Sequence, residues 1–169
     1  MMGDTVSGDT VTANTILGIE TSCDETAVAV VERATVVRSS VVSSQVEQHA
    51  VFGGVVPEIA GRAHVRDLVP VLAEALATAG IEGPGGSAGG IDAVAATTGP
   101  GLVGSLLTGV SAAKALSLVW GVPFVAVNHL EAHLYASFLE EPDLELPLVV
   151  LLVSGGHTIL VLMEGHGRY

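Results

Sequence analysis

Two histidines four positions apart, His129 and His133, are the side chains of this sequence best suited to form a reactive centre. Residues i and i+4 lie on one face of a helix, so both imidazoles can bind one metal ion. Glu131 stands between them at i+2 and is expected to point away from that face. In H-E-x-x-H metalloproteases the glutamate follows the first histidine directly and acts as general base, but here that position is Leu130. The pair therefore predicts either half of a metal site or two surface histidines, and it disfavours a zinc protease.

Two short polar turns, each between β-rich runs, are the other candidates for chemistry. The first contains Asp24 and Glu25, acids that can hold a metal ion, or a water, near a phosphate. The second, within LVSGGHT, contains Ser154 and two glycines whose backbone N–H groups can approach phosphate oxygens. Either turn alone is equally consistent with a solvated hairpin turn. Facing each other from two similar lobes, they predict a nucleotide cleft of the actin, hexokinase and Hsp70 type.

A glycine-rich motif, G-x-G-x-x-G, occupies Gly99, Gly101 and Gly104 between a predicted strand and a predicted helix. A dinucleotide fingerprint has this context, but it also needs an acidic residue about twenty positions later to bind the ribose, and there is none. Pro100 also removes an N–H where a phosphate would need one. We interpret the motif as a tight turn that precedes a closely packed helix.

Cys23 and Ser154 are candidate nucleophiles by residue type alone. No histidine is near Cys23 in the sequence, so a small buried side chain is the favoured interpretation. The pattern G-x-S-x-G, typical of hydrolase serines, is absent around Ser154. Because Cys23 is the only cysteine, an internal disulfide is excluded, which agrees with a cytoplasmic protein.

The predicted elements place these residues at the ends of strands. Three β-rich runs at 15–22, 26–33 and 35–43 predict an antiparallel meander. A helix is predicted from Pro57, with a kink or break at Pro70 because proline lacks an N–H. The later elements are a strand at 91–98, a helix at 101–120, a strand at 122–129, a helix to Glu140 and a hairpin at 148–163. Strands that alternate with helices indicate an α/β fold whose sheet has parallel members.

The composition limits the class of partner. Of the 169 residues 49% are hydrophobic, enough for a sizeable core, and the net charge of −12 repels phosphate backbones. The chain alone is therefore expected to bind nucleic acid poorly. Residues 1–14 lack the features of a signal peptide and are predicted to form a disordered tail. The apolar run at 146–154 is too short to span a bilayer, so no membrane association is expected.

Several ordered motifs between Ile16 and Tyr169 closely resemble the tRNA N6-adenosine threonylcarbamoyltransferase family. They are ILGIETSCDETAVAVV, HAVFGGVVPEIAGRAHV, TTGPGLVGSLLTG, NHLEAHL and LLVSGGHT. The smaller non-catalytic paralogue of this family lacks the paired-histidine helix, so the resemblance points to the catalytic subunit. It implies an actin-like (ASKHA) two-lobed α/β fold, with residues 15–140 as lobe one and 147–169 as the incomplete start of lobe two.

The resemblance also implies a reaction and its components. The threonylcarbamoyl group would pass from threonylcarbamoyl-adenylate to N6 of adenosine 37 in tRNAs reading ANN codons. His129 and His133 would bind one iron or zinc ion, and Asp24 and Glu25 would form the catalytic pair. The adenine nucleotide would be contacted by Leu152, Val153, Ser154, Gly155 and Gly156. Implied partners are a non-catalytic paralogous subunit and an ATPase subunit, with tRNA bound through the complex.

The sequence departs from this family in its shorter length, in Asn128 where many members carry another histidine, in the absence of the later nucleotide contacts and in its set of metal ligands. A third metal ligand, an aspartate in the later part of lobe two, has no counterpart here. We therefore expect a truncated chain that binds metal weakly and is inactive alone. The alternative is a non-catalytic scaffold of the same fold that pairs with a partner through the helices at 57–79 and 101–120, whose small residues permit close approach.

Overall fold

The computed structural model of the chain describes residues 14–81, 89–154 and 158–169. The helices and strands within these ranges are β1 (Thr15–Glu20), β2 (Glu25–Glu32), β3 (Val36–Ser44), α1 (Val46–Ala50), α2 (Pro57–Thr78), β4 (Ala93–Gly99), α3 (Val103–Trp120), β5 (Phe124–Asn128), α4 (His129–Glu140), β6 (Leu148–Val153) and β7 (Thr158–Met163). The predicted alternation of strands and helices is confirmed.

Five strands form one mixed sheet in the order β3-β2-β1-β4-β5. β1, β2 and β3 pair antiparallel, as the predicted meander requires, and β4 and β5 run parallel to β1. The carboxyl ends of β1, β4 and β5 therefore lie at the same edge of the sheet. Open α/β sheets bind their ligands at this edge.

The core lies between this sheet and helices α2 and α3. Alternate residues of β1 and β2, including Leu17, Val28 and Val30, are at most 1% exposed and pack against Leu72 and Leu76 of α2. This period of two is expected of strands with one buried face. The core fixes the positions of the strand ends that carry the candidate site.

Helix α2 differs from its prediction at Pro70. It continues as one α-helix from Pro57 to Thr78, so a break is wrong, and the other predicted outcome, a kink, stays a prediction. Pro70 removes one backbone hydrogen bond but lies on the exposed face, while Leu68 and Leu72 on either side are buried. Tertiary packing of the apolar face supplies most of a helix's stability and here holds the helix together across the proline.

Two smaller features also depart from expectation. The short helix α1 was not predicted, because five residues carry too little periodicity to reveal a helix. Asn14, assigned to the tail, is anchored: its N–H donates to Asp92 Oδ2 at 2.9 Å, and its carbonyl accepts from Arg33 N–H at 2.6 Å. The rest of the predicted tail lies outside the described residues.

Strands β6 and β7 form a separate antiparallel sheet, so the predicted hairpin is confirmed for its strands. Residues 155–157 of its turn lie outside the described residues. Leu152 and Met163 are buried, whereas Leu151 and Leu160 on the opposite face are 62% and 69% exposed. The assignment of this hairpin to a second lobe stays a prediction.

Helix α3 is long and apolar enough, by length and composition alone, to cross a membrane, with a mean hydropathy of 1.4. In the fold it packs against β4, β1 and α2. Gly109 and Ala113 lie buried in these contacts, while Val103 and Leu118 are exposed. Packing on a sheet therefore accounts for one apolar face of the helix, and the other face is free of contacts within the described residues.

Candidate functional site

An open cavity of about 670 Å³ lies at the carboxyl edge of the parallel strands. Glu20 ends β1, Gly99 ends β4 and Asn128 ends β5, so the segments after these strands converge there. The residues that line the cavity are Glu20, Ser22, Cys23, Asp24, Glu25, Val55, Pro100, Gly101, His129, Leu130, His133 and Ser154. The strand register thus assembles one site from parts of the chain more than 100 residues apart.

Most residues predicted to carry chemistry meet in this cavity. Asp24, Glu25, His129, His133 and Ser154 all line it, so the two polar turns and the histidine pair face one space. Their proximity is a fact of the structure, and their chemical roles stay predictions.

The other predicted nucleotide contacts are not all in this cavity. Leu152 is buried and lines a second cavity of about 330 Å³ between α4 and the hairpin. Val153 is 67% exposed. Gly155 and Gly156 lie outside the described residues. Ser154 is therefore the one member of this predicted set that the described residues bring to the main cavity.

The histidine pair lies on the first two turns of α4, with His129 as its first residue. The helix is capped by Asn128, whose side-chain oxygen accepts from Leu130 N–H at 2.9 Å and Glu131 N–H at 3.3 Å, a typical N-cap. The Nε2 atoms of His129 and His133 lie 3.2 Å apart, and their ring centroids lie 4.6 Å apart. The cap fixes where the helix begins and so directs both imidazoles toward one point.

Glu20 is a site residue that the sequence reasoning missed. Its Oε2 lies 3.3 Å from His129 Nδ1, and the Ser22 hydroxyl lies 3.2 Å from the same nitrogen. The carboxylate also accepts from Thr97 Oγ1 at 2.5 Å and from Ser22 N–H. A proton held on Nδ1 by Glu20 leaves the Nε2 lone pair of His129 directed into the cavity. A charged residue at the end of an otherwise apolar strand was the signal available in the sequence.

The environment of Glu20 keeps it ionised. Burial raises the pKa of this carboxyl, but hydrogen bonds from Ser22 and Thr97 and the charge of His129 outweigh burial. The net pKa lies below the usual value, so Glu20 is a carboxylate at neutral pH. A carboxylate that accepts from the distal nitrogen of a ligating histidine is the usual support of a metal-binding imidazole.

The histidine pair fits two ligands of a metal ion. Two nitrogens bound tetrahedrally to one zinc at about 2.1 Å each lie roughly 3.4 Å apart, close to the 3.2 Å between the two Nε2 atoms. The described residues include no group of three or more His, Cys, Asp or Glu side chains able to hold a metal. The donor set therefore matches half of a site, and the same pair can also share a hydrogen bond between Nε2 atoms.

The thiol of Cys23 is unsuited to nucleophilic chemistry. Burial, together with the neighbouring Asp24 carboxylate, raises the pKa of Cys23 to about 11. The thiolate is the reactive form, and it is scarce at neutral pH under these conditions. Cys23 is only half-buried and lines the cavity, so the expectation of a buried side chain is wrong, while the raised pKa argues against a nucleophile.

Gly101 of the glycine-rich motif packs against Ser22 in the segment after β1, and Gly109 of the following helix packs against Thr21 of the same segment. A Cβ on Gly101 would lie 2.6 Å from the carbonyl oxygen of Ser22, which accepts from Leu102 N–H at 2.8 Å. A Cβ on Gly109 would overlap the hydroxyl of Thr21, which donates to Ser105 O at 2.8 Å. The interpretation of the motif as a tight turn before a closely packed helix is confirmed.

Glu131 faces away from the histidine pair, as predicted. Its Oε1 accepts from the Tyr169 hydroxyl at 2.6 Å, and it lines the second cavity rather than the first. It therefore does not occupy the position of a general base beside a metal held by His129 and His133.

Solved structures with the same arrangement define the fold class. YeaZ from Pseudomonas aeruginosa superimposes with a TM-score of 0.54 at 19% identity, over 90% of this chain and 66% of that chain. A second crystal structure from P. aeruginosa, of an uncharacterized protein with similarity to peptidase YeaZ, gives the same TM-score and identity over 88% and 63%. The chain has the α/β fold of the actin-like class.

Sequence comparison then gives the family. The sequence model described as TsaD, tRNA N6-adenosine threonylcarbamoyltransferase, matches residues 36–169. Proteins of that name are 57% identical in Thermomicrobium roseum over 131 residues and 57% identical in Pelobacter propionicus over 125 residues. The chain belongs to the tRNA N6-adenosine threonylcarbamoyltransferase family.

The match covers different shares of the proteins compared. The two relatives align with 74% of this chain, which corresponds to 34% and 35% of their own lengths. The chain therefore spans about a third of the curated relatives that it matches. The resemblance based on the motifs is confirmed, although β1 and β2 precede the part matched by the family model.

Proposed function

We propose that this chain carries part of the active site of an enzyme that transfers the threonylcarbamoyl group to N6 of adenosine 37 in tRNAs reading ANN codons. The donor is threonylcarbamoyl-adenylate. The observation that carries the proposal is the convergence of Asp24, Glu25, His129, His133 and Ser154 on one cavity at the carboxyl edge of the sheet. This edge is where α/β sheets bind nucleotides.

His129 and His133 are proposed to hold one iron or zinc ion. The bound ion would act as a Lewis acid toward carbonyl or phosphate oxygens of the adenylate. Glu20 fixes the tautomer of His129 through the Nδ1 contact at 3.3 Å. A further ligand must come from outside the described residues. The 169-residue chain is proposed to bind the ion weakly and to be inactive by itself.

Asp24 and Glu25 are proposed to serve the transfer itself. N6 of adenine attacks the carbamoyl carbon, the bond from that carbon to the phosphate oxygen breaks, and AMP leaves. The amine loses a proton in this step, and a carboxylate at the cavity wall can accept it. Because N6 is a weak nucleophile, positioning it against the mixed anhydride supplies much of the rate. Ser154, which lines the same cavity, is proposed to contact the adenylate.

Partner proteins are part of the proposal because the chain is acidic. A net charge of −12 disfavours direct tRNA binding, so the tRNA would bind through an assembled complex in the cytoplasm. A non-catalytic paralogous subunit and an ATPase subunit are the proposed partners. Val65 and Val69 of α2 and Val103 and Leu107 of α3 are 64–81% exposed and form an apolar face suited to a protein contact.

A non-catalytic scaffold is the second candidate function, and the same apolar face favours it. Two of the small residues of α3 that were expected to serve a partner, Gly109 and Ala113, pack inside the fold, whereas Gly104 is exposed. A scaffold does not require the histidine pair, Glu20 and two acids to share one cavity. The transferase therefore accounts for more of the structure.

A reconstitution assay tests the proposal. A full-length version of this protein, combined with the partner subunits, threonylcarbamoyl-adenylate and tRNA, should produce N6-threonylcarbamoyladenosine, detected by mass spectrometry of digested tRNA. The 169-residue chain in the same mixture should give none. Intact complex formation without any modified adenosine from the full-length protein would reject the transferase and leave the scaffold.

A further inference from the structure

A buried chain of polar side chains lies beneath the turn that carries Asp24 and Glu25. Its members come from β2, α1, α2 and the segment between β3 and α1, and the cavity residues described above do not include them. Thr26, Gln45 and His64 are fully buried, and His49 is 3% exposed. Buried polar groups of this kind are costly unless they are hydrogen-bonded, so their partners define what they do.

Along this network, each side chain accepts a hydrogen bond from one neighbour and donates one to the next. The N–H of Val56 can only donate, and it meets His49 Nδ1 at 3.4 Å, so that nitrogen accepts. His49 Nε2–H then donates to Gln45 Oε1 at 3.2 Å, and Gln45 Nε2 donates to His64 Nδ1 at 3.4 Å. His64 Nε2–H donates to the carbonyl of Cys23 at 3.1 Å. The order of partners fixes the tautomer of both histidines and the orientation of the glutamine amide.

Two further hydrogen bonds connect this network of polar side chains with the turn that contains Asp24 and Glu25. The hydroxyl of Thr26 lies 2.8 Å from His64 Nδ1, next to the same acceptor. The backbone N–H of Gln45 donates to the carbonyl of Asp24 at 2.9 Å. The carbonyls of Cys23 and Asp24 are therefore both held from beneath, by His64 and Gln45 respectively. Holding these two peptide groups sets the direction in which the Asp24 and Glu25 side chains leave the turn.

The other end of this hydrogen-bonded network lies beside another part of the cavity wall. Val55 lines the cavity, and its neighbour Val56 supplies the first N–H of the series. One network therefore connects the Val55 wall to the acidic turn through side chains that never meet the cavity. A misplacement of about 1 Å in groups that position a substrate can cost roughly 100-fold in rate.

We infer that His64 and Gln45 are positioning residues for the transfer reaction, holding the Asp24–Glu25 turn through the carbonyls of Cys23 and Asp24. The inference rests on the proposed function for its kinetic consequence. Its structural consequence, a turn whose backbone depends on the His64 donor, holds whatever the reaction is. These two consequences allow separate tests.

The kinetic test compares two substitutions of His64 in the full-length protein with its partners. His64→Leu keeps bulk and burial but removes the donor to Cys23 O, whereas His64→Gln keeps an N–H donor of similar reach. We expect His64→Leu to lower kcat by about 100-fold with KM for the adenylate little changed, and His64→Gln to recover at least about tenfold of that loss. Leu76→Ala, a core substitution far from the turn, is the control for destabilisation. Its kcat should match that of the wild type when the assay temperature is well below the melting temperature of the variant.

The structural test uses the thiol of Cys23, whose own carbonyl accepts from His64. Iodoacetamide labelling of Cys23, followed by peptide mass spectrometry on the full-length protein, should be faster in His64→Leu and unchanged in His64→Gln and Leu76→Ala. The inference is overturned by wild-type kcat and wild-type labelling in His64→Leu, or by equal losses in His64→Leu and His64→Gln. An inactive wild-type complex rejects the proposed function, and the labelling result alone then decides the inference.

Discussion

The five-stranded sheet and the β6–β7 hairpin differ in how they bury their apolar side chains. In the sheet, Leu17 and Val30 are fully buried beneath α2 and α3, whereas Leu151 and Leu160 of the hairpin are 62% and 69% exposed. An isolated two-stranded hairpin is marginally stable in water, while a sheet covered by helices is stable independently. The strand ends of the sheet that carry site residues are therefore held by the core, whereas Ser154 follows a hairpin strand whose apolar side chains are largely exposed on one face.

The largest expected effect concerns the histidine pair at the carboxyl edge of the five-stranded sheet, called the rigid edge below. Replacing both His129 and His133 by alanine in the full-length protein should abolish iron or zinc binding, because both nitrogens that face one point are removed. Bound metal is measured by elemental analysis after dialysis against a weak chelator. His166→Ala, a histidine that contacts Tyr135 outside the main cavity, is the matched control and should leave the metal content unchanged. Full metal content in the double variant would make the pair purely structural.

A leucine-to-alanine substitution in the core beneath the sheet and one in the hairpin should differ strongly in their effect on the free energy of unfolding. Leu76→Ala removes a fully buried side chain and should cost about 2–5 kcal/mol. Leu160→Ala in the hairpin removes a side chain that is 69% exposed and should change stability by less than about 0.5 kcal/mol. Urea unfolding of the 169-residue chain measures both. Equal losses would mean that Leu160 is covered in solution, which would contradict the contrast between the two sheets.

The thiol of Cys23 reports on the acidic turn at the rigid edge. A pKa of about 11 leaves a thiolate fraction at pH 8 roughly 200-fold below that of an ordinary cysteine, partly offset by the greater nucleophilicity of a more basic thiolate. Alkylation by iodoacetamide should therefore be about 10- to 100-fold slower than for an unstructured peptide containing cysteine, and should keep rising with pH up to about 10. The urea-unfolded chain is the control and should react like the peptide. A rate that levels off near pH 8 would show that the pKa is not raised.

The sequence predicted the elements and their convergence better than it predicted the supporting contacts. Strands that alternate with helices require parallel neighbours, so the gathering of the Asp24 turn and His129 at one edge followed from local patterns. The contact between Glu20 and His129 joins residues 109 positions apart and depends on the exact register of β1, β4 and β5, which no local pattern contains. The burial of His64 could not be predicted either, because a polar residue within a helix usually indicates the exposed face. The uninterrupted course of α2 through Pro70 also depends on tertiary packing.

The smallest predicted effect tests whether Glu20, at the end of β1, orients His129 for metal binding. Glu20→Gln keeps the shape of the side chain and one acceptor oxygen but removes the charge that fixes the proton on His129 Nδ1. We expect metal affinity in the full-length protein to fall by about tenfold, the lower end of the effect seen when such partners are replaced. Competition with a chromogenic chelator at pH 7.5 measures the affinity, with Glu131→Gln as the matched control, since Glu131 faces the second cavity. Equal affinity in Glu20→Gln and wild type would show that the cap at Asn128 and the Ser22 hydroxyl orient His129 without the charge of Glu20. A tenfold loss would assign the orientation to the end of β1, and so to the packed sheet rather than to α4.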